Sequence, residues 1–481
     1  MSIIDRAKTA ARVLFGYEAI ANTRYRRTRG VDPLRGEEVE LQGYDRDRLV
    51  STLLNLKRND PVAKAISRLR RTDVVGGGII PQPSTGDDSL DDQISEMWAQ
   101  WSAMPEVTCT MDMTQMQQEI ADAPLFFGDI GVLLTRGGRV QLIEGDRIGS
   151  PTLSASESNP NKNGVIVGPA GKPRTYQIGD RINGPLKNFR DVPARNFLLF
   201  YKRMRPQQWR GIPELAPCVN SLQDVREYEA IEMISAKVSA SLAAVIKRQD
   251  SVQFELSNRL DANDQDDVGR LERFETGKFH YLEPNESIET ISANGRPNVD
   301  GIQFVMYHLR KVGAAVGIPV EMIMSTIGES SFSASQGLIL QYQSAIEDNQ
   351  RQVAAFLNRI YRWKLGQWVA NGMLTPPQNI SLFSCRWQTP AFRWVNKAAQ
   401  VKADAAYVQM GAQSLDDVAS QFGYTAEASM RRKAQNIRQA KQIAEEFGLN
   451  DWRDLLNQYN TTAQANLAEL MESGDEENAT T

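Results

Sequence analysis

The chain has 481 residues, 41% of them hydrophobic and 8% aromatic. At roughly 150 residues per domain this suffices for about three packed units and excludes a disordered chain. Lys and Arg number 55 against 59 Asp and Glu, a net charge of -4, so the protein as a whole is no polycation coating nucleic acid, and DNA contacts are local or weak. Three distant cysteines, Cys109, Cys218 and Cys385, exclude a disulfide framework and a cysteine-rich zinc site. Two histidines, His280 and His308, share no ligand spacing, which argues against metal chemistry and a Ser-His-Asp hydrolase.

The longest apolar run near the N-terminus is Val13, Leu14 and Phe15, too short for the roughly 7–15 apolar residues of a secretory signal. Nowhere do about 18 apolar residues follow one another, so synthesis in a reducing cell interior is expected. Residues 1–71 hold 16 basic against 9 acidic residues. Arg24, Arg26, Arg27 and Arg29, with Tyr25 between them, can contact phosphates or form a solvated arm on an acidic neighbour.

From Asp45 to Thr72, Leu49, Leu53, Leu56, Val62, Ile66 and Leu69 recur at helical spacing, which predicts two amphipathic helices broken at Asn59, Asp60 and Pro61. Val74 and Val75 read as a strand running into three glycines. Residues 89–103 and 114–124 read as helices, and Asp129 to Ile148 as a hairpin turning at Arg136 to Arg139. Short strands are expected at Gly164 to Val167, Arg174 to Ile178 and Asn196 to Tyr201.

Between Glu214 and Lys247 there is no glycine and only Pro217, with Ile234, Val238, Leu242 and Val245 on one face. This predicts a helix of about 30 residues, or ~45 Å. Its small residues, Ala240 among them, suit a ring or bundle of like helices, or an ordinary core helix. Residues 249–300 follow with 12 acids and 5 bases, an acidic α/β segment with a strand-like Lys278 to Leu282. Helix resumes at Gly301 and stops at Gly317, Ile318 and Pro319. A polar loop then holds Ser325, Thr326, Gly328, Glu329, Ser330 and Ser331. Ser333 to Gln336 reads as a capping box opening a helix to about Ala370. A strand at Ile380 to Trp387 precedes helices at Lys397 to Gln409, Leu415 to Phe422 and Ala426 to Phe447, with Gly411, Gly423 and Gly448 at their ends. The last fifteen residues carry five acids and no base.

Familiar catalytic patterns do not close. Gly76 to Gly78 open no helix for a pyrophosphate, and Gly168 to Lys172 lack phosphate-loop spacing and are followed by Pro173. Asp261, Asn263, Gln265, Asp267 and Glu272 fall at calcium-loop positions, but Asp266 stands where the turn wants glycine. Gly328 to Phe332 lacks the second glycine of a nucleophile elbow. No catalytic constellation, cofactor or metal is expected.

The block Leu56 to Ile66 leading to Val74–Ile79 resembles the opening signature of lambda-type tailed-bacteriophage portal proteins. Ile143 to Ile148, Arg205 to Pro217, and Gly313 to Glu321 resemble later blocks in the same order. The likeness extends to about residue 450, through Trp394 to Lys397, although Val395, Asn396 and Lys397 replace the family's usual Ile-Asp-Pro. The resemblance implies a non-enzymatic α+β, mainly helical ring subunit. Its parts are a wing at 1–212 with a basic N-terminal arm, a stem helix at 213–248, an acidic clip at 249–300 and a second stem helix at 301–320. A channel loop at 321–333, a long wing helix and strand at 334–389, crown helices at 390–450 and a mobile acidic tail at 451–481 complete it. It further implies a ring, commonly of twelve subunits, at one capsid vertex of the virion, assembled in the host cytoplasm, through which double-stranded DNA enters and leaves. Ile234, Val238, Ala240, Leu242 and Val245 would pack the stem. The partners implied are further copies of the chain, the large terminase subunit, head-completion or tail-adaptor proteins, and the major capsid and scaffolding proteins, with no membrane. Another phage head connector or scaffold ring, or a nucleic-acid-processing hydrolase, is the alternative.

Overall fold

In the computed structural model, residues 43–150, 161–181, 184–241, 245–248, 286–289, 299–326, 332–375, 381–390, 397–415, 418–419, 426–448 and 452 are described. Two compact units are formed: Met1–Asp60, Ser67–Pro213 and Ile346–Thr481 make the first, Pro61–Ile66 and Glu214–Ala345 the second. Both helix and sheet are present, and helix predominates.

In the first unit, α1 (Gly43–Asn59) stops at Asp60; α2 (Pro61–Val74), whose residues Pro61–Ile66 count with the second unit, starts on Pro61, the helix position that needs no N–H donor. Leu53, Leu56 and Ile66 are buried, as the spacing predicts. Val74 is the last residue of α2 and Val75 lies in the following turn. The strand expected there is displaced to β1 (Ile80–Pro83), beyond the glycines, where it pairs antiparallel with β11 (Cys385–Gln388). That partner lies some three hundred residues away in sequence, so the local apolar pair misplaces the strand.

Helix α3 (Asp88–Ser102) is capped by Asp87, whose carboxylate accepts from the Ser89 and Leu90 N–H groups. A reciprocal capping box of Asp112 and Gln115 opens α4 (Met113–Phe126). Leu90, Ile94 and Trp98 of α3 pack with Tyr361, Leu365 and Trp368, which belong to the long α8 (Phe332–Ala370).

The hairpin forms as expected. Strand β2 (Asp129–Leu134) lies between β3 (Val140–Glu144) and β8 (Phe197–Tyr201), antiparallel to both. A second antiparallel sheet runs in order β4 (Asn161–Lys162), β5 (Val165–Val167), β6 (Pro173–Arg181), β7 (Leu186–Pro193). Ile143, Val165, Tyr176, Ile178, Phe197 and Leu199 form one apolar cluster between these sheets. The Phe197 ring occupies the space a side chain would need at Gly131.

In the second unit, the helix expected over 213–248 is shorter. A 3-10 turn at Ala216–Cys218 leads into α5 (Val219–Ser241), and β9 (Val245–Arg248) pairs antiparallel with β10 (Glu286–Glu289). Val245 therefore stands on a strand, not on the helix face assigned to it. Helix α6 (Val299–Val316) resumes beyond, and α7 (Val320–Met324) follows Pro319. Helix α8 begins at Phe332, ahead of the Ser333 cap the sequence suggests. Helices α9 (Lys397–Gln409) and α10 (Ala426–Glu446) agree with their predicted spans, and Gly411 and Gly448 take positive φ beyond them. Residues 1–42, 249–285, 327–331 and 453–481 lie outside the described residues. With them go the Arg24 to Arg29 arm, the calcium-like positions, Gly328 to Ser331 and the acidic tail.

Candidate functional site

Two clusters stand out, one in each unit. In the first, the chain reaches Gly128 as α4 ends and returns past it at Gly211. A Cβ on Gly211 would overlap the Gly128 carbonyl, and a Cβ on Gly128 would crowd the Gly211 carbonyl in return. Only glycine at both positions permits this approach.

The crossing is fastened by Asp129, which is fully buried. Its carboxylate accepts from Arg210 Nε at 2.6 Å and Nη2 at 3.0 Å, from Arg46 Nη2 at 3.3 Å and from the Gly211 N–H at 2.9 Å. Arg210 spends its remaining donors on the carbonyls of Ile148 (2.6 Å), Asn163 (2.7 Å) and Gly145 (2.6 Å). All five guanidinium N–H groups are thereby satisfied, which a lysine ammonium with three donors cannot reproduce. Arg46, on α1, donates to the carbonyls of Gly211 (2.8 Å) and Phe127 (3.0 Å). Burial, with the Arg210 charge beside it, holds Arg46 down to about 10. Two buried guanidiniums thus share one carboxylate; backbone carbonyls take up the remaining donors of Arg210, whereas the buried Arg46 Nε has no hydrogen-bond partner among the described residues. Pro213, two residues beyond Gly211, is the last residue of the first unit before Glu214 opens the second.

In the second unit, α5 and α6 meet where the Tyr228 hydroxyl stands over Gly301, in the space a Cβ would occupy. Tyr228 also packs on Phe304, whose ring lies 4.6 Å from His308. Leu222 and Val225 of α5 and Leu309, Val312 and Val316 of α6 are buried. The outward sides of both helices are apolar as well: Ile231 (65% exposed) and Ile234 (60%) on α5, Ile302 (62%) and Tyr307 (60%) on α6, with Met233 and Phe304 beside them. Scattered exposed apolar residues are ordinary, whereas a concentration on two packed helices marks an interaction surface.

Of the stem residues expected from sequence, Ile234 is one of these exposed side chains. Val238 and Ala240 belong to α5, but their side chains lie outside the described residues, as does Leu242. Of the loop residues, Ser325 caps α7 in the left-handed conformation at φ 59, and the Thr326 N–H donates to Glu321 O at 2.9 Å. The Arg24 to Arg29 arm and Gly328 to Ser331 lie outside the described residues. The Asp129 cluster went unpredicted as a unit, since its three charged residues are far apart in sequence. Its only sequence signal is charge set beside glycine, at Gly128 and Asp129 and again at Arg210 and Gly211.

Among the described residues, no group of His, Cys, Asp and Glu could hold a metal ion, and no helix is long and apolar enough to cross a membrane.

The sequence model of the family described as "Phage portal protein, lambda family" matches residues 24–350. The chain belongs to that family. No curated protein matches it in sequence. Among solved structures, this portal-family chain is similar to one in "Neck of empty GTA particle computed with C6 symmetry", with TM-score 0.48, 12% identity, and coverage of 76% of this chain and 90% of that one. It is similar also to one in "Virion of native gene transfer agent (GTA) particle", with TM-score 0.47, 12% identity, and coverage of 76% and 90%. The portal family is structural rather than enzymatic.

Proposed function

We propose that this portal protein assembles as a ring, of twelve copies by resemblance to its family, at one vertex of a phage capsid. Double-stranded DNA would pass through the ring during packaging and ejection. The observation that carries the reading is the apolar surface of α5 and α6. Burying a side chain the size of isoleucine or tyrosine releases about 1.5–3 kcal/mol, and a single copy leaves several on adjacent helices in water. On this reading α5 and α6 form the stem. The acidic stretch within 249–300 would be the clip that receives the large terminase subunit and later head-completion or tail-adaptor proteins. The outer parts would meet capsid and scaffolding proteins. Glu329 is the one charge between Met324 and Ser333, which suits a loop that faces DNA without gripping it, since strong phosphate contacts would brake movement.

The test is electron microscopy of the purified full-length protein. Closed rings in top view, of uniform subunit number, are expected. A protein that stays monomeric across the micromolar range would overturn the reading.

A further inference from the structure

Between residues 431 and 441, α10 carries Arg431, Arg432, Lys433, Arg438 and Lys441 and no acid. All five are exposed. Arg431, Arg438 and Lys441 follow one another at seven and three residues, which sets them along one face of the helix, and Ala434 and Gln435 between them on that face are uncharged. Asp92 of α3 lies 3.9 Å from Arg431 at one end, and Glu445 and Glu446 stand in the last turn at the other. Three acids against five bases leave the face with an excess of positive charge.

The missing counter-charge is in the same chain. Residues 467–481 hold Glu469, Glu472, Asp475, Glu476 and Glu477 and no base, while residues 453–466 hold one acid and one base. The chain already turns back toward the helix: Gly448 takes φ 65 just beyond α10, and the Trp452 ring lies 5.1 Å from the Lys441 Nζ. From Trp452 to Glu469 is seventeen residues, which span up to about 56 Å when extended, whereas Lys441 to Arg431 is about 15 Å of helix. Every base on the face is within reach of the acids.

One exposed ion pair is weak. Several on one tether act together, because a tethered segment stands at an effective concentration on the order of millimolar. Nucleic acid is the competing occupant, since the face offers phosphates a row of cations. The acidic segment is favoured, because it is held beside α10, whereas a duplex must first be brought there.

We infer that residues 467–481 dock on the face of α10 marked by Arg431, Arg438 and Lys441 and shield it from nucleic acid. The inference stands whether or not the chain forms a ring.

Two measurements on the full-length protein test it. A zero-length carbodiimide joins an ammonium to a carboxylate only where the two touch. At low salt, cross-linked peptides should join Lys441 to one of the acids between Glu469 and Glu477, and Arg431→Gln with Arg438→Gln should reduce their yield severalfold. Separately, Glu469→Gln, Glu472→Gln, Asp475→Asn, Glu476→Gln and Glu477→Gln combined should bind a short DNA duplex severalfold more tightly than wild type at low salt. Adding Arg438→Gln and Lys441→Gln should remove that gain. Wild-type protein without these cross-links would overturn the docking. An unchanged duplex affinity in the five-acid variant would overturn the shielding, and weaker duplex binding by Arg438→Gln alone would then assign the face to nucleic acid.

Discussion

The Asp129 carboxylate is fully buried. Asp129→Asn keeps the shape of the side chain but removes the one carboxylate shared by Arg46 and Arg210, each about 5% exposed. Leaving buried guanidiniums without a counter-charge costs about 3–5 kcal/mol, so this substitution is expected to lower the unfolding midpoint of the first unit markedly in thermal denaturation. Arg210→Lys should cost nearly as much, because three donors cannot serve the five acceptors that Arg210 meets. A wild-type midpoint in either variant would show that the crossing of Gly128 and Gly211 holds itself.

The cysteines give a second residue-level expectation. Burial pushes the Cys218 and Cys385 thiols up to about 11 from about 9, whereas Cys109 is exposed. Because the thiolate is the reactive form, an aromatic disulfide reagent at pH 8 should label one thiol per native chain rapidly, and Cys109→Ser should abolish that phase. The folded state holds the protons of buried Cys218 and half-buried Cys385 more tightly than the unfolded state does. Between about pH 9 and 11 the native chain therefore binds more protons, and its stability falls as pH rises through that window. Cys218→Ala is expected to flatten part of that fall in urea titrations.

At the scale of elements, much of the fold was legible where a local signal decides it. Pro61 sets the break between α1 and α2, Asp112 and Gln115 open α4, and the alternation about Gly138 gives the hairpin of β2 and β3. The end of α5 was not legible. No glycine or proline interrupts residues 218–247 and the apolar spacing runs on through Val245, yet Val245–Arg248 is a strand because Glu286–Glu289, some forty residues later, supplies its hydrogen-bond partners. Tertiary pairing overrides periodicity there. The Asp129 cluster was hidden for the same reason, since no window of sequence contains Arg46, Asp129 and Arg210 together. The exposed stripes on α5 and α6 were legible as apolar spacing, but not as outward-facing until their neighbours were placed.

The turn between α6 and α7 offers an element-scale test with opposing effects. Alanine exceeds glycine in helix propensity by about 1 kcal/mol, which alone would make Gly313→Ala stabilising. The added methyl would, however, overlap the Ile318 carbonyl, and the Ile318 N–H already donates to Gly313 O at 3.0 Å. Both groups are main chain, held by Gly317 in its left-handed conformation at φ 71, so neither can rotate aside. Overpacking of this kind costs about 1–3 kcal/mol, and the net effect is expected to be destabilising. Faster amide exchange over residues 314–320 in the variant would register it, and exchange slower than wild type would mean that propensity wins.

At the scale of the whole molecule, symmetry multiplies small effects, and charge at the proposed channel loop is the case where this matters most. One lysine on one chain adds a contact too weak to notice, but in a ring the same substitution repeats in every copy around the DNA. Glu329→Lys would exchange a circle of negative charge for a positive one. Each phosphate neutralised releases a counterion and steepens the fall of affinity with salt by a slope of about 0.9 per contact on duplex DNA. Rings and the proposed motor docking should be unaffected, because the proposed stem and clip are untouched. Packaging should slow or stall short of full DNA length, and raising the salt concentration should partly restore it by loosening the added contacts. The measurement is packaging velocity and final packaged length for wild type and variant across a salt series. An unchanged velocity at low salt would remove Met324 to Ser333 from the path of the DNA and leave the ring itself in place.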